Sequence, residues 1–197
     1  MFEYSEFENQ IVTAQQFRLT DKSGRLRALL GLEDGEPSLS LYDAQEELRL
    51  WVGVGEDGEP GVVFYDKMGI ARASLGLGEE GDPGIHLLDK DENLRAVLSL
   101  ESNGEPGLDL LDRNEKDRIN LGLLDGEGAC VIFSDGCDQS RIVLCTTENG
   151  APGLDLYDQN DNIRASFSLE ENGEPSLELF EEDEGSGIIL DLNEDEE

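Results

Sequence analysis

Asp89-Lys90-Asp91-Glu92-Asn93-Leu94-Arg95-Ala96-Val97-Leu98-Ser99-Leu100-Glu101-Ser102-Asn103-Gly104-Glu105-Pro106-Gly107-Leu108-Asp109-Leu110-Leu111 contains the whole plan of this chain. Asp89 opens a polar turn that runs to Asn93. Ala96, Leu98 and Leu100 then alternate on one face, the period of a half-buried strand. Asn103-Gly104 marks a second turn. Leu108 to Leu111 makes a second strand, and Asp112 opens the next unit. One unit therefore holds two short strands and two turns.

The unit recurs seven times at about 23 residues. Arg27, Arg49, Arg72, Arg95, Arg118, Arg141 and Arg164 are spaced by 22 and then five times by 23. Asp21, Asp43, Asp66, Asp89, Asp112, Asp135 and Asp158 each lie six residues before one of them. All six prolines, Pro37, Pro60, Pro83, Pro106, Pro152 and Pro175, share one slot. Three registers in phase define a tandem repeat. Residues 124 to 148 lack the proline and carry the cysteines, so the pattern loosens there.

Turn chemistry sets the pairing. Asp34-Gly35, Asp57-Gly58, Asn103-Gly104, Asn149-Gly150 and Asn172-Gly173 read as two-residue hairpin turns, in which both central residues need positive φ. The prolines, lacking an N–H, belong at strand starts. The other turn, as in Asp66 to Arg72, also reads as a hairpin, with Gly69 in a strained slot that Glu92, Glu115 or Asp161 fills elsewhere. The expectation is an all-β antiparallel meander of about 14 strands. The rival is a parallel β-solenoid. It would stack like charges of the Asp and Arg columns opposite one another, which is destabilising.

The domain plan is residues 1–19 as an N-terminal cap or docking segment, 20–182 as the β-repeat domain, and 183–197 as an acidic C-terminal tail. The first segment carries Phe2, Tyr4, Phe7, Ile11, Val12 and Phe17. The last ends Asn193-Glu194-Asp195-Glu196-Glu197.

A sheet with one apolar face needs a second layer, and no helix is encoded to supply it. Chains that cover one another satisfy the need, and the expected assembly is a homotrimer with three sheets facing inward. Such a prism resembles the short-strand β-prism shafts of some viral and phage fibres. The repeats themselves, Asp-x-x-Gly-x-x-Arg-Ala-x-Leu and Gly-x-Pro-x-Leu-x-Leu-Tyr-Asp, are carried for instance by Arg72 to Leu77 and Gly104 to Asp112. They resemble repeats in many uncharacterised bacterial proteins, and that resemblance implies no activity.

Charge narrows the partners. Asp and Glu number 47 against 14 Lys and Arg, a formal net charge of -33. That disfavours nucleic acid and anionic membranes and favours a basic protein. No apolar stretch is long enough to span a membrane as a helix. No secretory signal is visible, which points to a cytoplasmic or virion-associated setting.

The polar constellation that repeats is the pair Asp43 and Arg49, Asp66 and Arg72, Asp89 and Arg95, Asp112 and Arg118, Asp135 and Arg141, Asp158 and Arg164. Equivalent copies do not make one active site, so the pairs read as structural. Asp89-x-Asp91-x-Asn93 and Asp158-x-Asn160-x-Asn162 resemble the start of a calcium loop. Leu94 and Ile163 stand where that loop needs glycine, however, and a polar turn is the default. Cys130, Cys137 and Cys145 are odd in number and read neither as a disulfide framework nor as a zinc site. His86 and Trp51 fall on the outward face; Trp51, with Phe2, Tyr4 and Phe7, is a candidate partner contact. No catalytic, cofactor or metal residues emerge. The function expected is a non-enzymatic spacer or scaffold that binds another protein; the alternative is a polyanionic binding module, mimicking nucleic acid or weakly binding calcium.

Overall fold

A computed structural model describes residues 11–78, 80–124, 128–147, 149–170, 172–181 and 187–190. They form one open sheet of sixteen strands in sequence order. The strands are β1 (Phe17–Thr20), β2 (Leu26–Glu33), β3 (Glu36–Tyr42), β4 (Leu48–Val54), β5 (Pro60–Tyr65), β6 (Ala71–Leu77), β7 (Pro83–Leu88) and β8 (Leu94–Leu100), followed by β9 (Pro106–Leu111), β10 (Asp117–Leu124), β11 (Gly128–Ser134), β12 (Ser140–Thr146), β13 (Pro152–Tyr157), β14 (Ile163–Leu169), β15 (Pro175–Phe180) and β16 (Gly187–Leu190). Every pairing is antiparallel and joins consecutive strands. At ~4.8 Å per strand the sheet extends roughly 70 Å.

Two strands exceed the fourteen expected. β1 straddles the end of the stretch assigned to a cap, and β16 lies inside the stretch assigned to an acidic tail. β1 carries the period-2 apolar pattern in Phe17 and Leu19, and each of the two strands pairs antiparallel with its neighbour. Residues 11–16 are irregular and exposed. Phe2, Tyr4 and Phe7 lie outside the described residues.

The turn chemistry differs from the expectation in an informative way. Only Asp34-Gly35 is a two-residue loop with both residues at positive φ, 51° and 101°. The others are three-residue loops. Gly58 N–H donates to Gly55 C=O at 2.9 Å and Gly55 N–H to Glu59 C=O at 2.8 Å, and the pattern repeats at 78–82, 101–105, 147–151 and 170–174. In the Asx-Gly turns among these the Asx residue sits in a type I turn and glycine alone takes the left-handed slot. On the opposite edge the same loop starts at each repeat aspartate. Its left-handed slot holds Gly24 and Gly69 but also Glu46, Glu92, Glu115, Asp138 and Asp161, with φ between 58° and 66°.

Each aspartate-edge hairpin also contains a bulge. The register shifts at Thr20, Tyr42, Tyr65, Leu88, Asp117, Ser134 and Tyr157. Tyr65 pairs with Ala71 and Phe64 with Ala73, leaving Arg72 as the extra residue. The same count makes Arg27, Arg49, Arg95, Arg118, Arg141 and Arg164 the unpaired residue of their hairpins. The arginine period of the sequence is therefore a bulge period. A bulge re-aims the side chain it carries and increases local twist.

The two faces are unlike. One row on the apolar face runs Phe17, Leu30, Leu39, Val52, Val62, Leu75, Ile85, Leu98, Leu108, Leu121, Val131, Leu144, Leu154, Phe167, Leu177, Leu190 without a polar interruption. On the other face a row runs Gly31, Ser38, Gly53, Gly61, Gly76, Gly84, Ser99, Gly107, Gly122, Cys130, Cys145, Gly153, Ser168, Ser176. Trp51 explains part of this row. A Cβ on Gly53 would stand 2.7 Å from Trp51 Cζ2 and 2.8 Å from the Pro37 carbonyl oxygen. The indole thus lies over glycine backbone that has no side chain to shield it.

Candidate functional site

Three surfaces carry the chemistry: the aspartate edge, the small-residue face and the apolar face. At the edge, each repeat aspartate turns its own loop. Asp66 Oδ1 accepts from the backbone N–H of Met68 at 2.8 Å and of Ile70 at 3.2 Å. Asp21, Asp43, Asp89, Asp112, Asp135 and Asp158 accept from the same two positions. The other oxygen faces arginine: Arg72 at 3.4 Å from Asp66, Arg49 at 3.7 Å from Asp43, Arg95 at 2.5 Å from Asp89, Arg118 at 3.4 Å from Asp112, Arg164 at 3.4 Å from Asp158, and Arg141 paired with Asp135. Asp21 takes Arg25 instead, at 2.9 Å.

The arginines reach further. Arg27 Nε donates to the Tyr42 carbonyl at 3.1 Å, Arg72 to Leu88 at 3.0 Å, Arg118 to Ser134 at 2.8 Å and Arg164 to Phe180 at 2.9 Å. Arg95 and Arg141 donate to the carbonyls of Asp112 and Asp158. Arg72, Arg95, Arg118, Arg141 and Arg164 thus tie their own turns to the next unit. Glutamates of the left-handed slot add a reverse link: Glu46 accepts from Leu26 N–H and Glu115 from Leu94 N–H, both at 2.9 Å. The sequence announced the Asp–Arg pair but not this link between units, because the link depends on strand stacking.

All seven repeat aspartates hold their carboxyls below the usual carboxylate range. For Asp66, Asp112, Asp135 and Asp158 the backbone N–H two residues on is the largest cause. For Asp21, Asp43 and Asp89 desolvation is the largest influence and raises the pKa, but backbone hydrogen bonds and arginine outweigh it. A depressed folded-state pKa contributes stability that is present above the unfolded value, ~3.9, and is lost as pH falls through the folded one. Asp66→Asn keeps an oxygen for the turn but loses the charge facing Arg72. The gap in urea midpoint between wild type and Asp66→Asn is expected to be widest near pH 7, hold to about pH 5, and close below about pH 4. Equilibrium unfolding at several pH values measures it, and a gap that widens with acid would contradict this assignment.

In the calcium-like turn the Asp89 and Asp91 carboxylates already have partners. Asp89 Oδ1 is engaged by Asp91 N–H and Asn93 N–H, and Oδ2 by Arg95. Asp91 pairs with Lys90 at 2.7 Å. Among the described residues no three His, Cys, Asp or Glu side chains gather as a metal site would require.

The small-residue face corrects the cysteine reading. Cys130 and Cys145 form a disulfide. They lie opposite one another on β11 and β12, with Cα atoms 4.2 Å apart. The sequence held a signal for this. Cys130 stands in the repeat slot of Gly107, and Cys145 in the slot of Gly122, so both belong to the small-residue row. Cys137 is exposed in the Asp135 turn. Trp51 and His86 share this face. They are half-buried rather than projecting, and Trp51 packs on Gly53 and Gly61. Ser74 Oγ lies 3.3 Å from His86 Nδ1.

The apolar face is uncovered. Leu32 is 67% exposed, Leu30 49%, Leu98 47%, Leu121 50% and Phe167 52%. Among the described residues Cys130 is the sole hydrophobic residue classed as buried, and it lies on the opposite face. A depression of about 500 Å³ runs along the apolar face over β8 to β13, with Leu98, Leu108, Leu121, Val131 and Leu144 in its wall. A face about 20 Å by 70 Å exceeds the ~300–600 Å² of the largest apolar patch on an ordinary monomer.

The chain is similar to solved structures over most of its length.

The TCP domain of SAS-4 (dCPAP) of Drosophila melanogaster, in complex with a proline-rich motif of Ana2 (dSTIL), is 10% identical, with TM-score 0.44 over 89% of this chain and 97% of that one. The wild-type TCP10 domain of Danio rerio CPAP is 11% identical, with TM-score 0.33 over 87% and 91%. Scores this low assign neither site nor partner. No family model and no curated protein sequence matches the chain. The functional reading accordingly stands on the faces and edges of the sheet.

Proposed function

We propose that this chain is a non-enzymatic structural and protein-interaction element, an acidic β-repeat scaffold that assembles through its apolar face. The carrying observation is that face: two unbroken apolar rows, half-exposed in the single chain. Its area is well above the ~800 Å² per partner of a standard interface.

The assembly proposed is a homotrimer, three sheets facing inward as a β-prism. The second apolar row supports this packing. Ala28, Ala73, Ala96 and Ala165 stand in it next to Leu41, Phe64, Leu110 and Leu179. Large and small side chains in one row let facing layers interdigitate, as close packing requires. The outer surface is then the Gly- and Ser-rich face, and the chain's net charge of -33 suits a basic protein partner rather than nucleic acid or anionic membrane. The repeat carboxylates are spent on turns and arginines, which favours a structural role for them over a polyanion display.

Light scattering after size exclusion tests the reading. The expected mass is three times the 21.6 kDa chain. A mass of one chain, with the fold intact, would overturn assembly through the face.

A further inference from the structure

The repeat departs from itself at Trp51 and His86. Other units hold Ser74, Val97 or Asn120 in the slot of Trp51, and Val63, Asp109 or Ile132 in the slot of His86. We infer that the trough between these two rings is a docking slot for an arginine side chain of a basic partner protein.

The floor of the trough is bare backbone. The indole lies across Gly53 and Gly61, with Cζ2 2.7 Å from the Cβ position of the first and Cζ3 3.7 Å from that of the second. The imidazole lies over Gly84, with Cε1 3.0 Å from its Cβ position and Nδ1 3.3 Å from Ser74 Oγ. Between the rings the floor is open. A Cβ on Gly76 would meet only backbone, the Pro60 carbonyl oxygen at 3.1 Å and Gly61 Cα at 3.6 Å. The trough has a volume of about 350 Å³. From β4 to β7 it spans three strand spacings, ~14 Å. Val63 and Ser74 line it toward the middle of the strands, and Glu59 and Asp82 line it at the turn end.

Charge chooses the occupant. The lining contains no Lys or Arg. Among the described residues Glu59 and Asp82 form no ion pair, whereas every repeat aspartate faces an arginine. The turns that carry them, residues 55–59 and 78–82, add further acids and no cation. A slim aliphatic stem fits against Val63 and the glycine floor. A planar cation at its end stacks on the indole, and a carboxylate accepts its paired N–H groups. Arginine meets all three demands; lysine offers no plane to stack and no paired donors. This inference rests on the reading of the chain as a protein-interaction element. It does not depend on assembly through the apolar face, because the trough lies on the opposite one.

Trp51 is the sole tryptophan, so its fluorescence reports the trough directly. The full chain is titrated with a capped peptide of alternating Gly and Arg in 0.15 M NaCl, where the Debye length is about 8 Å. A saturable change in emission is expected. Citrulline in place of arginine keeps the shape and removes the charge, and should weaken binding about tenfold or more. Glu59→Gln with Asp82→Asn should do the same, with circular dichroism confirming the fold. Glu105→Gln with Glu174→Gln removes equal charge from the same slot of other units and should leave the affinity unchanged. Emission that does not saturate, a citrulline peptide that binds as well, or equal losses in the two variants would each overturn the slot. The citrulline comparison uses wild type and decides even where a variant misfolds. Saturable binding by a protein of one-chain mass would overturn the trimer and keep the slot. A mass of three chains with no response of Trp51 would do the reverse.

Discussion

Leu98→Asp combined with Leu121→Asp is expected to bring the mass in solution down to that of one chain. The two leucines are 47% and 50% exposed in the lone sheet and stand in the central apolar row, separated only by Leu108. Assembly would remove the remaining surface from water. Full burial of a leucine contributes about 1.5–3 kcal/mol, so the half left exposed contributes about 1 kcal/mol per site and per copy. The substitution does more than forfeit this. It places carboxylates where the partner sheets would present only apolar groups, and an unpaired charge there costs several kcal/mol or must take up a proton. Val97→Asn, on the opposite face of β8, is expected to leave the mass unchanged. Circular dichroism distinguishes dissociation from unfolding. If the double aspartate variant unfolds, Leu98→Ser with Leu121→Ser makes the same comparison with a milder change. An unaltered mass in both would show that the apolar face is not where chains meet.

Loss of the Cys130–Cys145 bond is the second large expected effect. The bond closes a loop with a sequence separation of 15, and a loop of that length is worth about 3 kcal/mol through the unfolded chain. Cys130→Ser with Cys145→Ser isolates the cross-link, because serine already occupies the same small-residue row at Ser38, Ser99, Ser168 and Ser176. The urea midpoint of the double variant should fall by an amount corresponding to about 2–3 kcal/mol, and dithiothreitol should bring wild type to the same value. Cys137→Ser, exposed in its turn, should change nothing. Amide exchange should quicken first in β11 and β12. A wild type whose midpoint ignores reductant would show that the bond contributes nothing to the folded state in solution.

The sequence by itself determined the meander. Asp-to-Arg spacing, the proline slot and the alternation of residues such as Ala96, Leu98 and Leu100 are local properties, fixed by a two-residue side-chain period and by turns that close within five residues. One apolar face and the absence of an internal layer to cover it followed from the same alternation. The sequence did not disclose what each turn would be. Asp57-Gly58 and Asn103-Gly104 look like Asp34-Gly35, yet only the last is a two-residue loop. The choice depends on which residues pair across the hairpin, a matter of register rather than of the dipeptide.

Tertiary structure alone decided the rest. Arg72 reads as one half of an ion pair, but its place at a bulge, and its reach to the Leu88 carbonyl, exist only once β5, β6 and β7 lie side by side. Cys130 and Cys145 read as unpaired until register sets them opposite one another. Trp51 reads as projecting until Gly53 and Gly61 give it backbone to lie on. The ends, too, change character when stacked. Phe17 and Leu190 belong to segments of different composition at opposite ends of the chain, and only the full count of strands places them in one row. The physical reason is the same in each case. Periodicity fixes which face a residue takes, but contacts between residues many positions apart are set by how strands align, and alignment is a property of the whole sheet.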